Sequence, residues 1–274
     1  MGLVNMNIIS KIKKERKYLP LEMRLQMHED VHELRKAELS YRQIQREIRK
    51  KYGKQLPKST IGVWINRKHH PLGKVNKFDG KSSPELSYVI GTILGDGSIY
   101  FSGEDYRLEL SVKDKEFAEE FGKCLAKILR KNKPYKPRWS EKGKRWTVEV
   151  RSILLYKFLS RSLEELKMYI EHSRNCASTF LRALFDGEAC SHVNAKRHRR
   201  ELKLCNTNIE LLNYAKYLLK RYFNINATGP HFNKKAIKNC YHLYIRANSL
   251  FNFYKYIGFT IKRKQQKLIE AIKQ

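Results

Sequence analysis

At 274 residues, with 41% apolar and 11% aromatic content, the chain can bury a sizeable core as one large domain or two to three small ones. It is strongly basic, 57 Lys+Arg against 27 Asp+Glu for a net +30, with the charge spread along its length. So much distributed charge calls for a polyanionic partner, nucleic acid above all, while the lack of any run near the roughly 18 apolar residues of a membrane span argues against a membrane protein.

The chain opens with a short apolar patch, Val4 to Ile9, but positive charges follow it and no small-residue cleavage site does, so a signal peptide is not expected. Residues 20–36 carry Met23, Met27, Val31 and Leu34 at helical spacing. In the next segment Ser40 and Gln43 form a capping-box start, Tyr41, Ile44 and Ile48 share one face, and Gly53 ends the run. A third helix is expected to be capped by Ser59, to turn Ile61, Trp64 and Ile65 inward, to carry Arg67 and Lys68 in its last turn, and to stop at Pro71. Three short helices, the last small and basic, resemble a helix-turn-helix module. Thr60, Asn66, Arg67 and Lys68 would then face DNA, since Asn and Arg read base edges and Thr and Lys reach phosphates. An ordinary helical hairpin with a solvated basic face is the alternative. Residues 69–83, rich in Gly, Pro, Ser and Asn, read as a linker, which takes in His69-His70.

Beyond the linker, Ser83-Pro84-Glu85 is a strong helix start: a cap, a proline at the first position and an acid in the first turn. The helix carries Gly91 and Gly95 four apart and runs into Asp96. A strand (Arg107 to Val112), a helix (Lys115 to Leu129), a basic loop (Lys133 to Gly143), a strand (Arg145 to Arg151) and a helix (Ile153 to Leu166) follow. The same order then returns. Helix Arg174 to Gly187 carries Ala183 and Gly187 and runs into Glu188. After it come a strand (Arg200 to Cys205), a helix (Asn208 to Tyr222), a loop (Asn224 to Asn239), a strand (Cys240 to Arg246) and a helix (Ser249 to Ile257). Asp96 matches Glu188, Leu108 matches Leu202 and Arg151 matches Arg246 at nearly constant offset, so one unit is used twice. Small residues at i and i+4 let two helix backbones approach closely. Gly91 and Gly95 are therefore expected to meet Ala183 and Gly187, which sets Asp96 beside Glu188. Two carboxylates at helix C-termini repel each other and the helix dipoles. A divalent cation with oxygen ligands, Mg²⁺ in the first place, would relieve both conflicts and suits phosphodiester hydrolysis.

At these residues the chain resembles the LAGLIDADG homing endonucleases of the monomeric two-motif kind. Val89 to Gly97 and Leu181 to Ala189 stand at the two nonapeptides, and the likeness covers about residues 84–274. It implies an α+β fold of two pseudo-symmetric αββαββα units with saddle-shaped antiparallel sheets, here residues 81–172 and 173–274, behind a small all-α domain and linker at 1–80. It also implies that Asp96 and Glu188, with the backbone at Gly95 and Gly187, hold the metal. Lys113 stands where relatives place a basic active-site side chain, and Asn206-Thr207 stands there in the second copy. The second copy departs from the pattern at Ala183, Ala189 and Thr207, which implies either slower cleavage of one strand or a weak enzyme. Asp186, two positions before Glu188, falls on another helical face and reads as structural.

The reading that follows is a site-specific, Mg²⁺-dependent double-strand DNA endonuclease, monomeric and cytoplasmic, cutting a long asymmetric site. Arg107, Lys136, Arg138, Arg145, Arg151, Lys203 and Arg246 are its expected DNA-facing cations on strands and loops; Arg151 and Arg246, matched at strand ends, serve equally well as salt-bridge partners. The chain begins at Met1 and lacks a terminal His-Asn, so a free-standing or intron-encoded protein is expected rather than an intein. A catalytically silent DNA-binding regulator and an RNA-splicing maturase acting on intron RNA are the rival readings. Five cysteines (Cys124, Cys176, Cys190, Cys205, Cys240) without a Cys-x-x-Cys pair argue against a zinc site or a disulfide framework, and the nine histidines show no metal spacing.

Overall fold

The chain divides into two units, Met1–Val75 and Asn76–Gln274. The computed structural model describes residues 19–71, 76–101, 105–194, 199–233 and 240–273. The Val4–Ile9 patch, linker residues 72–75 and residues 234–239 lie outside them.

The first unit contains helices α1 (Leu21–Lys36), α2 (Tyr41–Tyr52) and α3 (Lys58–Ile65) around Met27, Val31, Ile44, Ile48, Leu56, Ile61 and Trp64. The capping box at Ser40 is formed in both directions: the Gln43 amide donates to Ser40 Oγ at 3.4 Å and the Ser40 amide to Gln43 Oε1 at 2.8 Å. Gly53 adopts φ +64°, and its N–H returns to the Arg49 carbonyl. Two expectations are corrected. Pro57, not Ser59, precedes α3, with no side-chain cap; the fixed φ of proline pre-sets the turn. The helix ends at Ile65, with Arg67 at φ +55°, so Arg67 and Lys68 follow the helix instead of completing it. His28 and His32, one helical turn apart on α1, bring their rings to 4.6 Å, and His70 approaches His28 at 4.5 Å. The expected linker histidine therefore packs against the helical unit.

The second unit is α+β. It begins with α4 (Pro84–Leu94), β1 (Gly97–Phe101), β2 (Tyr106–Val112), α5 (Lys115–Ile128), β3 (Arg138–Ser140), β4 (Arg145–Arg151), α6 (Ile153–Leu159) and α7 (Leu163–Ile170). It continues with α8 (Arg174–Glu188), β5 (Ala189–Asn194), β6 (Arg199–Asn206), α9 (Ile209–Phe223), β7 (Ala227–Phe232), β8 (Tyr241–Arg246), α10 (Ala247–Tyr256) and α11 (Lys262–Lys273). Two antiparallel four-stranded sheets result, with orders β1-β2-β4-β3 and β5-β6-β8-β7. The duplicated order of elements is thus a duplicated sheet topology. Four strands (β1, β3, β5, β7) occupy stretches that lacked a clean apolar alternation. The expected helix 153–166 is two helices, because Ser162 starts α7 with its own capping box to Glu165. Helix α11 had no sequence expectation.

Alternation places Leu108, Leu110, Val148 and Val150 of the first sheet in the core, and likewise Leu202, Leu204, Leu243 and Ile245 of the second. Helix α4 is buried on every face from Leu86 to Ile93, as its apolar composition demands of a central helix. Its start is built as expected: Ser83 Oγ accepts from the Leu86 amide at 3.1 Å, ahead of Pro84. Cys205 and Cys240 are joined as a disulfide, against the expectation from spacing. Pairing of β6 with β8 closes a separation of 35 residues that no local spacing rule detects.

Candidate functional site

Helices α4 and α8 pack along each other at near-backbone distance. A Cβ at Gly91 would lie 2.5 Å from the Phe180 carbonyl oxygen and 3.1 Å from Ala183 Cβ, so only glycine permits this approach. At the helix ends each acid lies over the opposite helix. A Cβ at Gly187 would sit 3.0 Å from Asp96 Oδ2, and one at Gly95 would sit 3.6 Å from Glu188 Cγ. The small residues that shape this seam therefore set Asp96 and Glu188 side by side, and each acid leads directly into the first strand of its sheet, β1 or β5.

The two helix ends differ. Gly95 closes α4, and Gly97 completes a tight exit in which a Cβ would fall 2.9 Å from Ile93 Cα. Helix α8 instead continues through Glu188 and passes straight into extended backbone at Ala189, φ −96°, ψ 148°. Ala189 is 4% exposed and belongs to the core. The glycine missing from the second motif is not needed, because no tight turn occurs there.

Burial raises the carboxyls of both acids. For Glu188 burial acts first and the Asp96 charge second, together pushing it up to about 7; the hydrogen bond from Asn206 and the charge of Lys264 act against them. Asn206 Nδ2 donates to Glu188 Oε1 at 2.9 Å. Asp96, though more open on the surface, is raised by burial against the fields of Lys264 and Arg145. Lys264 was not legible in the sequence. It is 7% exposed, and its ammonium donates to the carbonyls of Phe185 (3.3 Å), Asp186 and Gly187 (3.5 Å) at the end of α8. A cation there opposes the negative end of the helix dipole and faces both acids. Asp186 is 1% exposed and accepts from the amides of Thr260 (3.0 Å) and Ile261 (3.3 Å) and the Tyr88 hydroxyl (3.4 Å). It anchors the start of α11, which in turn carries Lys264. Burial raises its carboxyl to about 6 despite these donors.

Lys113 lies exposed just beyond β2, and the cations acting on Asp96 are Lys264 and Arg145 instead. Arg145 also reaches the Ser111 carbonyl at 3.5 Å. Thr207 is exposed, and its neighbour Asn206 makes the contact to Glu188.

The strand-end arginines close ion pairs. Arg107 meets Asp105 (3.4 Å) and Glu149 (3.5 Å), Arg151 meets Asp105 (3.0 Å) and Glu149 (3.5 Å), and Arg246 pairs with the buried Glu201. Of the two roles left open for Arg151 and Arg246, the salt bridges are present, and both side chains stay about half exposed. Arg107, expected only to face DNA, joins the same network, because register sets it opposite Arg151 with both acids at hand. Lys136 and Arg138 are exposed on the approach to and start of β3, and Lys203 is half-buried on the polar face of β6. In the helical unit Asn66, Arg67 and Lys68 are exposed and Thr60 is half-buried.

Residues 175–258 match the family described as LAGLIDADG-like domain. The uncharacterized protein MJ0398 of Methanocaldococcus jannaschii is 34% identical over 261 residues, covering 88% of this chain and 92% of that one. A crystal structure of I-DmoI in complex with DNA and Ca is similar in fold, with a TM-score of 0.51 at 18% identity, covering 69% of this chain and 100% of that one. The relative that matches most of the chain, the matched domain and the duplicated sheets meeting at a glycine-lined helix seam lead to one conclusion: the chain belongs to the same family as MJ0398 and carries a LAGLIDADG-like domain at residues 175–258.

Proposed function

We propose that the chain is a divalent-metal-dependent endonuclease that cuts double-stranded DNA at a long asymmetric site. The observation that carries this reading is the abutment of Asp96 and Glu188 at the ends of α4 and α8, where Asp96 Oδ2 lies 3.0 Å from the point that a Cβ on Gly187 would occupy. Such an arrangement is electrostatically costly: burial first and the Asp96 charge second raise Glu188 to about 7. A purely structural seam has no use for it. The donor set fits a hard cation: two carboxylates, with backbone carbonyl oxygens at the helix ends as further candidates. Asp96 and Glu188 would hold Mg²⁺ or a similar ion, which supplies Lewis-acid activation of a water and of the scissile phosphate.

The chain's own residues do the rest. Asn206 orients Glu188 by its 2.9 Å hydrogen bond. Lys264 offsets charge at the helix end, and Arg145 offers an exposed guanidinium near Asp96 for a phosphate oxygen. Lys113, Lys136, Arg138 and Lys203 line the strands and their flanks for the backbone phosphates. The helical unit is proposed as a helix-turn-helix that adds contacts through Asn66, Arg67 and Lys68, and one polypeptide supplies both halves of the centre, so a monomer suffices.

One observation favours a second reading, a catalytically silent DNA-binding regulator. Lys264 is a buried cation already facing both acids, and a fixed ammonium can replace a metal as their counter-charge. Incubating the protein with Mg²⁺ and DNA spanning the insertion point of its own gene, beside Asp96→Asn, separates the two. Double-strand cleavage by the unmodified protein and none by the variant supports the nuclease. Tight binding by both with no cleavage by either overturns it in favour of the regulator. Accelerated splicing of a host intron transcript would instead indicate a maturase.

A further inference from the structure

A second cluster of ligand-type side chains lies away from the acid pair, on the second sheet. Cys205 on β6 is the register partner of His242 on β8, and Cys240 stands two residues before His242, on the same side of the strand. One ligand atom from each of the three lies within 4.8 Å of the others. Leu204 and Leu243, the adjacent positions, point into the core, so the cluster occupies the opposite face. The positions are held from several directions. The Asn233 amide donates to the Cys240 carbonyl at 2.8 Å, and His242 is 8% exposed. The Tyr244 hydroxyl meets His242 Nδ1 at 3.2 Å and Asn233 Nδ2 meets Nε2 at 3.5 Å. Whichever ring nitrogen turns to a ligand, the other keeps a polar partner, as metal-bound imidazoles require.

We propose that in the reduced protein Cys205, Cys240 and His242 bind a thiophilic divalent cation of the zinc class. Two thiolates and an imidazole are the donor set such a cation prefers. With metal–sulfur bonds of about 2.3 Å and metal–nitrogen bonds of about 2.0 Å, tetrahedral ligand atoms stand roughly 3.5–3.8 Å apart. That spacing falls inside the 4.8 Å envelope already present. The fourth position is open to water or to His231, the cross-strand neighbour of His242 on β7. Reduction of the disulfide by a dithiol transfers two electrons, leaving two protein thiols and the cyclic disulfide of the reductant. Each thiol then loses its proton to solvent as the cation binds. The bound cation would cross-link β6 to the start of β8, in place of the covalent bond.

The test uses the full chain, reduced with a dithiol, desalted anaerobically, stripped of metal and titrated with Co²⁺. The expected result is thiolate-to-cobalt charge-transfer absorption that saturates at one equivalent, is bleached by one equivalent of Zn²⁺, and is lost in Cys205→Ser and in His242→Asn. Binding of Co²⁺ at Asp96 and Glu188 gives no thiolate band, so this readout is independent of any nuclease activity. Asp96→Asn should leave the band intact, and Tyr244→Phe should weaken the affinity about 10- to 100-fold. Circular dichroism of each variant shows whether it has folded. Absence of the band in the reduced, folded protein overturns the proposal. So does a count of three titratable thiols instead of five after dithiol treatment and denaturation, which would mean a disulfide that does not open.

Discussion

Replacing Glu188 with Gln is expected to stabilise the metal-free protein above neutral pH. Glu188 moves from 4.5 to about 7 on folding, with burial as the first cause and the Asp96 charge as the second. A carboxyl raised in this way holds, in the folded state, a proton that the unfolded chain has already released. Stability is therefore greatest below about pH 4.5 and is lost as pH rises through 7. The full shift corresponds to about 3 kcal/mol at about 1.36 kcal/mol per pH unit. Partial solvent access and the coupling to Asp96 reduce the expected loss to about 2 kcal/mol. Gln keeps the shape of the neutral acid and can still accept from Asn206. Variant and wild type should thus differ least near pH 5, the lowest pH of the series, and the variant should be more stable at pH 8 by about 2 kcal/mol, or about 4–8 °C in midpoint for a unit of this size. Chemical and thermal denaturation in EDTA at pH 5, 6, 7 and 8 measure this. Parallel curves for the two proteins across that range, or a variant less stable at pH 8, would refute the electrostatic account of the acid pair.

Three further outcomes follow from the same geometry. Gly91→Ala forces a methyl to within 2.5 Å of the Phe180 carbonyl and should lower unfolding free energy by about 2–3 kcal/mol. Gly95→Ala, whose methyl meets nothing nearer than 3.3 Å, should cost less than about 1 kcal/mol in the same denaturation series. Lys264→Met should destabilise by about 3 kcal/mol, because the α8 carbonyls lose their cap and both acids lose a cation; the loss should be larger at pH 8 than at pH 5, and equal losses at both would argue that Lys264 does not act on the acids. Trp64→Ala, which empties the centre of the helical unit at 3% exposure, should lower the stability of that unit by about 3–5 kcal/mol, read from the loss of its helical circular dichroism on heating.

The sequence by itself determined the duplication and the two helices that carry it. Apolar runs with small residues at i and i+4, each closed by an acid, specify a close helix pair, since steric exclusion by side chains is a local property of residue type. Caps were equally legible: Ser40–Gln43 and Ser83–Pro84 name their own hydrogen bonds. Pairing across the chain was not. Strands β1, β3, β5 and β7 are edge strands with only one neighbour each, so their residues alternate weakly and carry little apolar signal. Lys264 becomes meaningful only when α11 folds back against α8 and buries an ammonium on three carbonyls. The strand-end arginines could face phosphates or acids until register set Arg107 across from Arg151 and Glu201 across from Arg246. Cys205, Cys240 and His242 meet for the same reason, through strand pairing that no spacing rule encodes. The chain states which residues are small, apolar or charged; only the tertiary structure decides which charges meet, because that depends on how distant segments pair.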